Sequence, residues 1–335
     1  MVAFVWHYQH FAPETYPFSK ILYWPYNFGW IMVDLFFILS GFIFYSIYRK
    51  HIENHTLSFR NFAVLRVSRL YPLHWLTLIV ILLFQIFRKY NGLESFPIYY
   101  SRNPILFLFN IPMLQNGWLI TDISYNGPTW SLSIEIMMYI LFFAVFCHAK
   151  SNKNYIIYCL LLICLGIIMT FSGQNIPFFN GQVARGLMGF FLGCITGEVY
   201  IYCNNNRKFG NMLTVFCIFV ALFLIIVPII FGYGILRNWV LVYTFAFFPA
   251  FILIALRIGF IEKIFSLKPF IYFGELSYSI YLLHYPMQLI VKTIDEYLGL
   301  VIDYSNRIFF IGFSIIVIIV SHFIHYYFEK KYKNI

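Results

Sequence analysis

Asn126-Gly127-Pro128-Thr129-Trp130-Ser131-Leu132-Ser133-Ile134-Glu135-Ile136-Met137-Met138-Tyr139-Ile140-Leu141 reads as a Gly-Pro turn that runs into an apolar helix carrying one carboxylate, Glu135. An ionisable side chain about one and a half turns into a lipid-embedded helix is costly and by default marks a functional position. Few residues elsewhere in the chain could meet it at a similar depth, and His7 and Asp34 are the foremost.

The surrounding chain has the same character. Of its 335 residues 61% are hydrophobic and only 11% charged, with a mean hydropathy of +0.76; an ordinary soluble domain is about a quarter charged. Apolar runs recur along the whole length, each near the ~20 residues that cross a ~30 Å hydrocarbon core. They lack the alternation of membrane-barrel strands. The expected fold is therefore all-α, a polytopic transmembrane helical bundle. The net charge of +10 sits in short loops between spans, the ordinary positive-inside pattern, which argues against nucleic acid as a partner. Cys147, Cys159, Cys164, Cys194, Cys203 and Cys217 lie in or at the ends of apolar spans without Cys-x-x-Cys spacing. Neither a disulfide framework nor a metal site is expected from them. Met1 opens into an apolar segment with no basic n-region, so no cleavable signal is read there.

Residues 1–9 have the length of half a span, so the first crossing is expected to begin upstream or to be a stub. Residues 10–28 read as a polar, aromatic loop with Pro13, Pro17 and Pro25. Further spans follow at about 29–48, 71–87, 129–147, 155–171, 183–202, 212–231, 238–256, 270–291 and 308–328, making about ten. Gly189, Gly193 and Gly197, at four-residue spacing in 183–202, suit close helix packing. Between 88 and 128 the chain is broken by Pro and Gly; the piece 105–118 is too short to cross and reads as re-entrant or interfacial. With both termini cytoplasmic, the inside loops 49–70, 148–154, 203–210, 257–269 and 329–335 hold fifteen of the 23 Lys and Arg. That bias supports the orientation. No repeat or soluble domain interrupts the plan, so 1–335 reads as a single membrane domain whose chemistry is done by the membrane core itself.

His7, Asp34 and Glu135 are expected in the outer half of the bilayer, Asp34 and Glu135 within a few ångströms of equal depth. A histidine beside a carboxylate gains basicity and a fixed tautomer, as general-base catalysis on a hydroxyl requires. The plainer alternative is a buried polar cluster that only ties helices together. Arg66 and Arg69 lie at i and i+3, on one helical face at the cytoplasmic mouth of the third span, just before the turn Leu70-Tyr71-Pro72. Paired guanidiniums suit a phosphate-rich ligand, although positive-inside anchoring explains most such arginines. His284, beside Pro286, reads as a hydrogen-bonded core histidine or a substrate contact. His322, His325 and Glu329 have helical spacing that resembles metal ligation, but interfacial anchoring is the expectation. His10, His51, His55, His74 and His148 need no special account.

Several segments together resemble the acyltransferase type-3 family, integral membrane enzymes that move acyl groups, commonly acetyl, onto sugars and other hydroxyl acceptors. They are Val5-Trp6-His7, the run Gly29 to Phe42 with Asp34 and Ser40-Gly41, and Phe62-x3-Arg66-x2-Arg69-Leu70-Tyr71-Pro72-Leu73-His74-Trp75. Trp130-Ser131-Leu132-Ser133-Ile134-Glu135 with Tyr139, Gly274 to His284, and Glu329 complete the set in the family's order. The resemblance implies that His7 is the essential first-span histidine, that Arg66 and Arg69 meet acyl-coenzyme A, and that Glu135 is the family's acid. The family usually carries an arginine ten residues before this histidine; here six residues precede it.

The resemblance further implies a multi-pass enzyme of the inner (cytoplasmic) membrane with no permanently bound cofactor. Acyl-CoA, acetyl-CoA in the commonest case, would be the co-substrate, and a surface glycan or its lipid-linked precursor the carbohydrate acceptor. His7, Glu135 and Asp34 are the catalytic candidates, and Trp130, Ser131, Tyr139, Tyr281, His284 and Ser40 the candidate substrate contacts. A glycolipid transporter or flippase would share the spans, intramembrane charges and aromatic loops, though no matching halves are visible. A non-catalytic scaffold is a third class; it would tolerate loss of His7.

Overall fold

A computed structural model describes residues 2–11, 15–93, 99, 101, 103–148 and 152–330. Pro13 of the expected loop and the basic residues Lys150, Lys331 and Lys333 lie outside the described residues. The described secondary structure is helical apart from two isolated bridges, Asn116–Thr121 and Ile176–Phe179. In chain order the helices are α1 (Val2–Tyr8), α2 (Tyr23–Phe28), α3 (Met32–Glu53), α4 (Phe59–Tyr90), α5 (Pro104–Asn110), α6 (Trp130–His148), α7 (Asn152–Ser172), α8 (Gly181–Asn205), α9 (Arg207–Phe231), α10 (Ile235–Asn238), α11 (Val240–Val242), α12 (Phe248–Arg257), α13 (Gly259–Phe265), α14 (Lys268–Leu298) and α15 (Arg307–Ile324).

Eight described runs are long and apolar enough to cross a membrane: Tyr23–Glu53, Phe59–Tyr90, Gly127–His148, Asn154–Ser172, Gly181–Asn205, Arg207–Phe231, Val240–Arg257 and Arg307–Glu329. They coincide with eight of the ten expected spans. The expected span 270–291 falls in α14, whose 31 residues are long enough but include Lys268, Glu275, Lys292, Asp295 and Glu296. The expected first span is the seven-residue α1.

Two expectations about loops are corrected. The helix expected from residue 29 begins at Tyr23, because α2 and a 3-10 turn, Gly29–Ile31, lead straight into α3. Pro25 sits in the first turn of α2, where a missing N–H costs nothing. Residues 59–70, expected as a basic loop before a turn at Pro72, are the first part of α4, which continues through Pro72. An internal proline costs a helix ~3 kcal/mol, and tertiary bonds cluster around this one. Tyr71 Oη donates to the Pro112 carbonyl at 2.8 Å, His74 Nε2 to that of Asn110 at 2.7 Å and Trp75 Nε1 to that of Ile111 at 2.9 Å. Tyr278 Oη donates to the Leu70 carbonyl at 2.5 Å.

The same bonds locate segment 105–118. Its tip, residues 110–112, is pinned against residues 71–75 of α4, about 22 Å or more of helix rise below Tyr90. Behind the tip, the two limbs are joined by Tyr125 N donating to the Tyr99 carbonyl at 2.9 Å. The segment thus dips along α4 and turns back.

The chain forms two compact units, each assembled from separate stretches: unit 1 is Met1–Trp30, Phe59–Ser133 and Tyr272–Ile335, and unit 2 is Ile31–Ser58 and Ile134–Ile271. In unit 1, α4 and α14 are parallel. Tyr278 to Leu70 and Glu296 to Arg88 both span 208 residues, so the register holds along the pair. On it, His284 is level with the middle of α4, near His74 and Thr77, both buried. α1 seats on α15 through Phe4 stacked on Phe313 (5.9 Å) and Tyr8 edge-on to Phe310 (4.8 Å). Tyr8 Oη also donates to the Tyr304 carbonyl at 2.9 Å.

In unit 2, α3, α6 and α8 run in the same direction. Ser40 meets Glu135, Phe44 meets Tyr139 and Tyr45 meets Phe146, while Asp34 meets Arg185 and Tyr45 meets Glu198. α7 runs the opposite way, with Tyr155 bonded to Tyr45 and Gly166 against Ala184 and Met188. α3 and α8 touch backbone to backbone: a Cβ at Gly41 would lie 1.8 Å from the Phe190 carbonyl oxygen, and one at Gly193 2.0 Å from that of Ile38. Arg49, expected in an inside loop, is instead buried in α3. Its guanidinium lies over the Tyr45 and Tyr155 rings (4.9 and 4.6 Å) and pairs with Glu53 and Glu198, each at 2.9 Å. Compensated in this way, a charge can stay where lipid or protein surrounds it.

Candidate active site

In unit 1 the site is built on α1. His7 Nδ1 lies 2.7 Å from the Ala3 carbonyl oxygen. A carbonyl can only accept, so Nδ1 carries the proton and Nε2 keeps its lone pair. The ring sits among other aromatics: Trp6 edge-on at 4.6 Å, His10 at 5.5 Å and His284 at 4.7 Å, tilted by 53°. His284 faces the Ile280 carbonyl through Nδ1 at 3.2 Å, and Gln288 Nε2 donates to the His7 carbonyl at 3.1 Å. α14 therefore holds both the imidazole neighbour and the backbone of the α1 histidine. Sequence reasoning named His284 without its partner and missed Gln288. The signal was there: Gln288 lies one turn after His284 on the same helical face.

The start of α6 is ordered by polar side chains of the same unit. Asn126 Nδ2 reaches Thr77 Oγ1 at 3.3 Å and the Leu282 carbonyl at 3.2 Å. Tyr281 Oη donates to the Pro128 carbonyl at 2.5 Å, so its 2.8 Å bond to Ser131 has the serine as donor. Trp118 Nε1 donates to the Ser133 carbonyl at 3.1 Å. The structure thus joins Ser131 and Tyr281, and leaves Trp130 half-buried. Arg66 and Arg69 are at i and i+3 on α4 as expected, Arg66 half-buried and Arg69 exposed. His325 and Glu329 are buried against the rest of the unit and do not extend outward as anchors. Glu329 accepts from Ser279 Oγ at 2.6 Å and from His325 Nδ1 at 2.8 Å, while the exposed His322 contacts Tyr272. Among the described residues no three His, Cys, Asp or Glu side chains form a metal-ligand set.

In unit 2 Glu135 is buried and accepts from Ser40 Oγ at 2.6 Å, which brings together two of the expected site residues. Asp34 is not at their level. It lies six positions, about 9 Å of helix rise, before Ser40 on α3. Arg185 of α8 grips it bidentately, Nε to Oδ1 at 2.7 Å and Nη2 to Oδ2 at 3.2 Å. Counting residues from the edge of an apolar run does not give helix register, which is why equal depth was expected. Arg185 was missed, although an arginine inside the expected span 183–202 carries the same intramembrane signal as Glu135. Tyr139 stacks on Phe44 at 4.2 Å and is buried; its ring is part of the packed core.

Long apolar helices that bury ionisable side chains, the His7–His284 pair within unit 1 and Glu135 within unit 2, define a polytopic integral membrane protein. Residues 1–326 match the family described as acyltransferase domain, the type-3 acyltransferases, and the chain belongs to that family. It is 26% identical over 291 residues to the O-acetyltransferase OatA of Staphylococcus aureus (strain NCTC 8325 / PS 47), covering 79% of this chain and 47% of that protein. It is 25% identical over 303 residues to the peptidoglycan O-acetyltransferase OatA of Listeria monocytogenes, covering 80% of this chain and 46% of that one. The chain spans about half the length of the curated relatives it matches. No solved structure matches it.

Proposed function

We propose that this chain is an O-acetyltransferase of the cytoplasmic membrane, with both termini inside. It moves an acetyl group from cytoplasmic acetyl-coenzyme A to a hydroxyl of a surface glycan, of the peptidoglycan kind or a lipid-linked precursor. Family membership and the names of the relatives support the reaction class. The observation that carries the reading is His7: a buried imidazole with Nδ1–H committed to the Ala3 carbonyl and Nε2 left as a base.

As the acceptor oxygen attacks the thioester carbonyl, its proton passes to His7 Nε2. The C–S bond then breaks and the departing thiolate takes that proton, which leaves the acetyl ester and the coenzyme A thiol. In a variant of the route, His7 carries the acetyl group before the hydroxyl takes it; trapping an acetyl-histidine distinguishes the two. Arg66 and Arg69 hold the phosphates of the donor. Glu135 is the acid that the family resemblance implies, held by Ser40 within unit 2. Asp34, its charge already met by Arg185, acts as a positioning residue between α3 and α8. Trp130 and Tyr281 supply ring faces that suit a sugar, and Ser131 and Ser40 hold Tyr281 and Glu135.

The test is acceptor-dependent release of coenzyme A by the purified full chain, given acetyl-CoA and peptidoglycan-derived glycan. Release together with acetyl ester on the glycan is expected. A protein that moves the glycan across a vesicle membrane without releasing coenzyme A would overturn the reading.

A further inference from the structure

α14 presents His284 and Gln288 one turn apart on a single face, beside the His7 ring. The far side of each group is already committed. His284 Nδ1 meets the Ile280 carbonyl, so Nε2 bears the lone pair. Gln288 Nε2 donates to the His7 carbonyl, which fixes the amide and turns Oε1 away from it. Both residues are 0% exposed, and among the described residues neither His284 Nε2 nor Gln288 Oε1 has a hydrogen-bond partner. His7 repeats the pattern, with Nδ1 committed and Nε2 an acceptor. Buried acceptors are ordinarily met, because leaving them unmet is costly. Here they gather beside the candidate base: the atoms left over on His7, His284 and Gln288 accept, and among the described residues His10 Nε2, on a ring 5.5 Å from that of His7, is likewise buried without a partner.

We propose that His284 Nε2 and Gln288 Oε1 form, next to His7, a recognition site for a neutral ligand carrying hydroxyl or amide hydrogens, and that the site turns anions away. This rests on the acyl-transfer reading above. Two parts of that reaction bring such hydrogens: the hydroxyls of the sugar acceptor, and the amide and hydroxyl groups of the donor's pantetheine arm. Lone pairs and carbonyl oxygens attract both and repel phosphate or carboxylate. The site would therefore hold the uncharged part of a substrate against the histidine while its charged parts lie elsewhere.

The experiment is labelling of neutral imidazole nitrogens by diethylpyrocarbonate, read at the His284 and His7 peptides by mass spectrometry. It uses the full wild-type chain in lipid nanodiscs, which avoids sugar-headed detergent. Methyl N-acetyl-β-glucosaminide, pantetheine and inorganic phosphate are titrated as probes. Because His284 is buried, its labelling in the free protein should be slow, set by opening of the site, and complete only on long exposure to the reagent. The sugar should protect it if the acceptor occupies the site, and pantetheine if the donor arm does; phosphate should do neither. Gln288→Leu should weaken the protection about tenfold with the unliganded labelling rate unchanged. An unreactive His284, protection by neither neutral probe, or protection by phosphate overturns the proposal. Transfer measured on the same sample separates the two claims. Protection without transfer removes the acyl-transfer reading and leaves the site; transfer without protection does the reverse.

Discussion

At the residue scale, the charges inside the spans are the most informative side chains, because each must be compensated where it sits. Asp34 is 3% exposed at its side chain and Arg185 22%. Losing one partner of a buried pair leaves an unpaired charge, typically costing ~3–5 kcal/mol; the partial exposure of Arg185 puts this pair at the lower end. Arg185→Met should therefore lower the thermal unfolding temperature markedly, and the double change Asp34→Leu with Arg185→Met should recover much of the loss. Unfolding followed by fluorescence in detergent checks this; equal losses in the single and double variants would count against the pairing. At the other end of the proposed reaction, Arg66→Ala with Arg69→Ala should raise KM for acetyl-CoA about tenfold or more with kcat little changed, the pattern of lost ground-state binding. An unchanged KM moves the donor's phosphates elsewhere. The identity of these charged residues was legible in the sequence, but their partners were not. Ser40 for Glu135, Arg185 for Asp34 and Glu198 for Arg49 depend on the rotation of one helix against another, which composition does not encode.

At the element scale, α3 and α8 pack as closely as backbones allow. Gly193→Leu would drive a side chain into the Ile38 carbonyl, and overpacking of this kind costs typically ~1–3 kcal/mol. The expected result is lower stability and lower yield in membranes, while Gly259→Leu, with open space around it, should be tolerated. The glycine spacing was enough to anticipate a tight seam; that α3 is the partner came only from the structure. Segment 105–118 is a second case. Its brevity was legible, but the dip against α4 depends on Tyr71, His74 and Trp75 finding the carbonyls of residues 110–112. Topology reporters fused after residue 93 and after residue 121 should read the same side of the membrane. Opposite sides would make the segment a crossing.

At the scale of the whole molecule, helix direction gives an independent count of crossings. α3 and α6 are parallel within unit 2, and two parallel spans require an odd number of crossings between them. α4 supplies one, so the stretch from 91 to 126 supplies an even number; its length falls short of two spans of ~20 residues, which leaves none, in line with its short α5. α4 and α14 are parallel within unit 1, as alternating spans demand. Class and span order were legible because hydrocarbon thickness is written into run length. The polar interior of unit 1 was not: Asn126, Thr77, Gln288 and His74 are ordinary residues until folding bonds Asn126 to Thr77, His74 to the Asn110 carbonyl and Gln288 to that of His7. The claim on which the functional account stands is that His7 is the base for acetyl transfer. Its most direct measurement is the initial rate of acceptor-dependent coenzyme A release by His7→Ala, alongside wild type, on protein shown to be monodisperse and to unfold cooperatively. A fall of about 100-fold or more in a folded variant is expected; transfer at the wild-type rate would contradict the account.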